Sequence, residues 1–217
     1  MRYLAILLLC LAPSMSWCAE PDPAEKWKSE IEKMAAATKE SAPAKGGIMF
    51  VGSSSIRLWN ASKWFPERTI INHGFGGSQT SDVNYWFDQL VTPWQPQHIV
   101  FYCGDNDIAK NKSPETVLQD FKTFLGKVRQ NSPGATVYYL PIKPSVKRWE
   151  MWGTMSRVNT AIQQLAAEST DLNYLDTATP LLNSEGLPDP IYFQKDGLHL
   201  TDKGYELWSA VVEKALP

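Results

Sequence analysis

Four short polar clusters in this 217-residue chain hold side chains that could act together on a carbonyl carbon. Gly52-Ser53-Ser54-Ser55 presents three hydroxyls, each a potential nucleophile. Asn72-His73-Gly74-Phe75-Gly76-Gly77-Ser78 is a glycine-rich turn whose amides could point at developing negative charge. Gly104-Asp105-Asn106-Asp107 supplies a neutral side-chain donor in Asn106, of the kind an oxyanion hole uses. Asp196-Gly197-Leu198-His199 sets a carboxylate three residues before an imidazole. That spacing lets Asp196 reach Nδ1 and leaves Nε2 free to take a proton. Nucleophile, base, orienting carboxylate and oxyanion donors are the parts of serine hydrolysis.

Other motifs fit less well. Gly74 and Gly76 match the start of a dinucleotide-binding G-x-G-x-x-G, but Gln79 holds the third glycine position. The nucleophile elbow G-x-S-x-G fails because Ile56 stands where its last glycine would be. Of the remaining histidines, His73 lies in the glycine-rich loop and could be near a site. His98 opens an apolar run and reads as a strand-end residue.

These clusters need a frame. Apolar runs at 48–51, 69–72, 98–103, 136–140 and 171–175 are rich in β-branched and aromatic residues and lack strict polar alternation. Strands of that kind are buried on both faces, as in a parallel sheet. Helical spacing appears between them, at 113–131 (with Ser113 as N-cap), at 149–168, and at 202–215 behind Thr201. Ahead of the first strand, Trp27, Ile31, Met34, Ala35 and Thr38 mark an amphipathic helix over about 22–40. Alternating strands and helices predict an α/β fold, a three-layer doubly wound sandwich around a five-stranded parallel sheet. In such sheets ligands bind beyond the carboxyl ends of the strands. Three of the clusters follow predicted strand ends and the fourth precedes the last helix, so all four could meet on one rim.

Taken in order, the clusters resemble the SGNH branch of the GDSL esterase/lipase family. Its G-D-S block is matched by Gly52-Ser53-Ser54, and its N-x-G-x-x-G block by Asn72, Gly74 and Gly77. Gly104, Asn106 and Asp107 match G-x-N-D, and Asp196 and His199 match D-x-x-H. The resemblance spans essentially the whole chain after the amino-terminal segment and implies a flavodoxin-like SGNH hydrolase fold. It selects Ser54 as nucleophile, with His199 as base and Asp196 as its orienting acid. The implied oxyanion hole is the amides of Ser54 and Gly77 plus the Asn106 side chain, and no metal or organic cofactor is required. Ser53 departs from the pattern, standing where the family usually has Asp, and Ser55 is expected to cap or pack the turn. The implied activity is hydrolysis of a carboxylic ester, short-chain acyl or carbohydrate O-acetyl. Thioesterase or lysophospholipase activity is the alternative. A non-catalytic carbohydrate-binding module on the same fold is the reading from another class.

Composition narrows the partners. A formal net charge of −2 with no basic cluster argues against nucleic acid and leaves a small-molecule ester or acylated carbohydrate. Arg2 followed by an apolar run over 4–12 and then small residues matches a secretory signal peptide, placed at 1–19 before a single domain at 20–217. The run falls short of the about 20 apolar residues a membrane-spanning helix needs, so no integral membrane segment is expected after cleavage. Export to the periplasm or medium follows. Trp17 before Cys18, and Leu9 before Cys10, argue against lipidation. Cys103 is then the one cysteine of the mature chain and reads as a small buried residue. The Pro-, Lys- and Trp-rich segment Ile142–Met155 is the best candidate for a loop facing substrate.

Overall fold

The structure, a computed structural model, describes residues 23–41 and 45–217. The expected signal peptide lies outside the described residues. Five strands, β1 (Ile48–Gly52), β2 (Ile70–Gly74), β3 (His98–Tyr102), β4 (Thr136–Tyr139) and β5 (Leu172–Tyr174), run parallel in the order β2-β1-β3-β4-β5. This is the doubly wound α/β sheet that the sequence predicts. β5 is shorter than the run at 171–175, because Asp176 accepts the amides of Ala178 and Thr179 and turns the chain.

Alternation explains why each strand is apolar throughout. Met49, Val51, Ile99, Phe101, Val137 and Tyr139 point into one buried cluster. Phe50, Val100, Tyr102 and Tyr138 point into the other. On the first face lie α2 (Lys28–Ser41), α5 (Thr80–Tyr85), α6 (Phe87–Leu90), α8 (Pro114–Asn131) and α9 (Trp152–Ala167). The second face is covered by α3 (Ser54–Arg57), α4 (Ala61–Trp64) and α10 (Asp202–Ala215), the last anchored by Trp208 and Val212. Two short helices, α1 (Pro23–Lys26) and α7 (Asp105–Ala109), complete the set used here. Ser113 and Thr201 cap α8 and α10 by accepting the amides of Thr116 and Gly204. α9 starts later than the helical spacing suggests, because Val146–Met151 winds as a 3-10 helix with non-helical dihedrals at Arg148.

The amino-terminal helical segment is interrupted at Trp27, which is buried against the sheet side of the molecule. Its indole N–H donates to the Gly76 carbonyl at 3.1 Å, and its ring meets Phe75 edge-on at 5.4 Å. α2 is held further along by His73, which the sequence left near a possible site. His73 is instead a fully buried residue of β2. Its Nδ1 lies 2.7 Å from the Leu90 carbonyl, which can only accept, so Nδ1 carries the proton. Nε2 lies 2.8 Å from the Thr38 hydroxyl, whose single proton is shared between this nitrogen and the Met34 carbonyl at 2.9 Å.

Burial lowers the His73 pKa from 6.5 to about 4, against the opposing pull of its Leu90 hydrogen bond. Between those values the unfolded chain binds a proton that the folded chain does not, so stability falls as pH drops through this window. Denaturant unfolding at pH 7 and pH 4.5 checks this: His73→Gln should lose less stability over that interval than the parent chain does.

Candidate active site

The first three clusters turn the chain at the ends of β1, β2 and β3, and the fourth lies in the loop before α10. At Gly52 (φ +145°) a Cβ would sit 1.9 Å from the Tyr102 carbonyl, so the nucleophile turn requires glycine. At Gly74 a Cβ would lie 2.2 Å from the Arg57 amide, so the second block must also present bare backbone to the first. Asn72 fixes that approach. Its amide donates to the Ile56 and Trp59 carbonyls, at 2.8 and 3.1 Å, and its carbonyl accepts the Gly74 amide. Asp107 does the same for blocks two and three: both its oxygens accept the Thr80 amide at 3.1 Å, and Lys112 Nζ donates to it at 3.0 Å. Asn72 and Asp107 are thus structural members of the motif.

The candidate nucleophile, base and carboxylate meet on the rim. Ser54 Oγ lies 3.0 Å from His199 Nε2, and His199 Nδ1 lies 2.5 Å from Asp196 Oδ2. The other Asp196 oxygen accepts the amides of Leu198 and His199 at 2.9 and 3.0 Å. Partial desolvation favours the protonated acid, but those amides and the imidazole outweigh it and hold the Asp196 pKa at about 2. The carboxylate is therefore ionised throughout the neutral range, and Nδ1–H is fixed as its donor.

Ser54, Gly77, Asn106 and His199 line one cleft of about 460 Å³, together with Glu30, Arg57, Gly76 and Leu198. The Ser54 and Gly77 amides make no hydrogen bond to another described residue. Asn106 Nδ2 spends one N–H on the Ser78 carbonyl at 3.0 Å, and its Oδ1 accepts from Arg148 at 3.0 Å. A larger hollow of about 670 Å³ at the amino ends of β3 and β4 is lined by His98 and Ser132 among others, but neither the Ser132 hydroxyl nor His98 Nδ1 has a hydrogen-bond partner, so no nucleophile–base pair is formed there. Among the described residues there is no group of three or more His, Cys, Asp or Glu that could hold a metal ion. No described helix is long and apolar enough to cross a membrane.

The neighbours of Ser54 behave differently from it. Ser53 precedes α3 at the N-cap position, yet its hydroxyl is buried without a hydrogen-bond partner. Ser55 packs the turn rather than capping it: it is buried, and its Oγ accepts from Lys143 Nζ at 3.1 Å. Lys143 also donates to the Tyr102 hydroxyl at 2.9 Å and to Asp105 at 3.3 Å, and it is 1% exposed. Burial favours the neutral acid at Asp105, but Lys143 and Arg148 beside it outweigh that and hold its carboxyl below the usual range. Ile142–Met155, expected to face substrate, is therefore partly interior. Sequence reasoning singled out that segment but missed what Lys143 and Arg148 do in it. A lysine three residues past a predicted buried strand was the available signal. Cys103 is buried, as expected, with its Sγ 3.4 Å from the Ser78 carbonyl.

The order of strands, with the first and third clusters flanking the β1/β3 boundary, defines the flavodoxin-like sandwich of the SGNH hydrolases. The sequence also matches the profile of the GDSL-like Lipase/Acylhydrolase family over residues 55–207. The chain belongs to that family and is a carboxylic ester hydrolase of the SGNH type. Similar solved structures include a Streptococcus pneumonia protein named for platelet activating factor, 23% identical, with 88% of this chain and 94% of that one covered at a TM-score of 0.78. A GDSL-like lipase from Bacteroides thetaiotaomicron is 19% identical, with 86% and 97% covered at a TM-score of 0.70. A carbohydrate esterase family 3 protein from Talaromyces cellulolyticus is 18% identical, with 80% and 96% covered at a TM-score of 0.64. At these identities the likeness is one of fold. No curated protein matches the chain.

Removing Lys143 leaves Asp105 buried with only part of its countercharge, and breaking a buried ion pair costs about 3–5 kcal/mol. Lys143→Met should lower the unfolding midpoint accordingly. Lys63→Met, which breaks an exposed pair with Asp202 at 2.7 Å, should cost no more than about 1 kcal/mol. Parallel urea titrations of the two variants make the comparison.

Proposed function

We propose that this chain is an exported serine esterase that removes small acyl groups, acetyl foremost, from polar alcohols such as acylated carbohydrates. The observation that carries the reading is the unbroken chain Asp196–His199–Ser54, ending in a cleft that also holds unengaged N–H donors. His199 Nε2 takes the Ser54 proton as Oγ attacks the ester carbonyl, and Asp196 stabilises the imidazolium. The amides of Ser54 and Gly77 and the second N–H of Asn106 receive the oxyanion. Collapse expels the alcohol, which takes its proton from His199. Water, deprotonated by the same imidazole, then attacks the acyl-enzyme and releases the acid.

The walls of the cleft support a small acyl group and a polar alcohol. Glu30, Arg57, Gly76, Gly77 and Asn106 line it, and Leu198 is the sole apolar side chain larger than glycine in that lining. The carbohydrate esterase among the fold neighbours supports the same choice. Export rests on the signal-like pattern of residues 1–19. One observation favours the alternative, thioesterase or lysophospholipase activity on longer chains. A second cleft, of about 210 Å³ and lined by Val146, Trp149, Leu187, Pro188 and Pro190, adjoins the His199 loop, where the Lys147 amide donates to the Gly197 carbonyl at 2.9 Å.

A fluorophosphonate probe should label the folded protein and fail on Ser54→Ala, whereas Ser53→Ala and Ser55→Ala should still be labelled. Absence of labelling on the folded parent chain would sink the enzymatic reading of Ser54. With p-nitrophenyl esters, kcat/KM should be highest for acetate and fall with acyl length; a maximum at octanoate or beyond would instead favour the long-chain alternative. Asn106→Ala should lower kcat by roughly 10²–10³-fold.

A further inference from the structure

Asn106 is the one oxyanion donor carried on a side chain, and a side-chain amide can turn over. Rotated by half a turn, it would aim Oδ1 at the developing oxyanion and repel it. Two contacts oppose that rotation. The Ser78 carbonyl can only accept, and it faces Nδ2 at 3.0 Å. Arg148 can only donate, and its Nη2 faces Oδ1 at 3.0 Å. We propose that Arg148 is a positioning residue for this reaction, holding the Asn106 amide with its N–H toward the oxyanion. The proposal rests on the serine-esterase reading above and adds to it a residue outside the four motif blocks.

What holds Arg148 is visible too. Its Nη1 lies 3.0 Å from Asp105 Oδ2, an ion-pair contact that is not aligned as a hydrogen bond. Asp105 is in turn held by Lys143, which reaches Ser55, the residue after the nucleophile, and the Tyr102 hydroxyl. The guanidinium therefore spans a carboxylate on one side and the Asn106 carbonyl on the other. A lysine ammonium, a point donor without the planar fork, would not reproduce this span. The backbone is adjusted to it: Arg148 is the residue of Val146–Met151 that leaves helical dihedrals (φ −119°, ψ 22°). The cation also draws electron density from the Asn106 amide, which makes its N–H a stronger donor.

The test is a double-mutant cycle on kcat and KM for p-nitrophenyl acetate. Arg148→Ala leaves Asp105 on Lys143, and thermal melts verify that it folds; Arg148→Met, which keeps the aliphatic stem, replaces it if it does not. In the parent background the change should lower kcat about ten- to a hundredfold with KM little altered, within the roughly 10²–10³-fold ceiling set by Asn106→Ala. In the Asn106→Ala background the same change should alter kcat less than about twofold, because its route of action is gone. Arg148→Lys should restore only part of the loss. Equal losses in both backgrounds, or a loss confined to KM, would overturn the proposal. So would unchanged kcat for Arg148→Ala beside a large loss for Asn106→Ala, a result that leaves the esterase reading standing. Near-full activity of Asn106→Ala would remove the oxyanion role and this proposal together, while fluorophosphonate labelling of Ser54 would still report separately on the nucleophile.

Discussion

Everything at this site depends on the chain leaving β1 and β3 in opposite directions. After β1 it crosses to the face covered by α3 and α10, and after β3 it crosses to the face covered by α8. Neighbouring strands whose continuations part in this way leave a crevice at their carboxyl ends. Ser54 begins the helix on one side of that crevice and Asn106 sits in the first turn on the other. β2, on the outer side of β1, brings the glycine loop up beside them. A crevice between diverging backbones exposes the polar ends of both strands, and the chain fills its floor with a charge. Lys143 ties the turn after β1 to the Tyr102 hydroxyl and to Asp105 after β3. A buried ammonium is tolerable because each of its three protons has an acceptor.

The four motif blocks divide into residues proposed to react and residues that bring them together. Ser54, His199, Asp196 and Asn106 face the cleft or one another. Asn72 and Asp107 face backbone, each closing the gap between two blocks. Glycines at 52 and 74 serve the same end by omission, since any Cβ there would drive two strand-end turns apart. Consecutive residues of the segment after β4 hold the two halves of the machinery. The Lys147 amide grips the Gly197 carbonyl between Asp196 and His199, and the Arg148 side chain grips Asn106. A shift of Val146–Met151 would therefore disturb base and oxyanion donor at once.

The strands were legible because burial on both faces leaves an apolar run that no other element of this fold produces. α8 and α10 were legible to within a residue because Ser113 and Thr201 are caps that stop the helix chemically. The start of α9 was not, because the apolar spacing runs back through Trp149 while the 3-10 segment ahead of it is set by contacts with Gly197 and Asn106. Ser54, Asp196 and His199 are selected by the resemblance of the ordered clusters to the SGNH blocks, since spacing alone leaves the three serines equivalent and a single D-x-x-H uninformative. The partners of Lys143 could not. They come from the ends of β1 and β3, 88 and 38–41 residues away in the chain, and no local pattern encodes such a meeting. His73 was misplaced for a related reason: its glycine neighbours suggest a loop, yet β2 runs through it to Gly74.

The family profile begins at Ser55, so Ser54 and both amino-terminal helices lie ahead of the matched region. Those helices are nevertheless part of the site. Trp27, between the two helices, holds the Gly76 carbonyl, and Glu30 of α2 is one of the residues lining the cleft. The Gly76–Gly77 turn gains from such a hold, because Gly77 takes a left-handed conformation (φ +74°) and nothing lies within 4 Å of where a Cβ would stand on it. A loop that must keep an amide aimed at a charge for catalysis gains nothing from its own flexibility. The indole supplies the brace through a carbonyl one residue upstream, and α2 is in turn pinned by Thr38 against buried His73. The oxyanion side of the cleft is thus steadied from two directions: by Arg148 on the Asn106 side chain, and by Trp27 on the glycine turn.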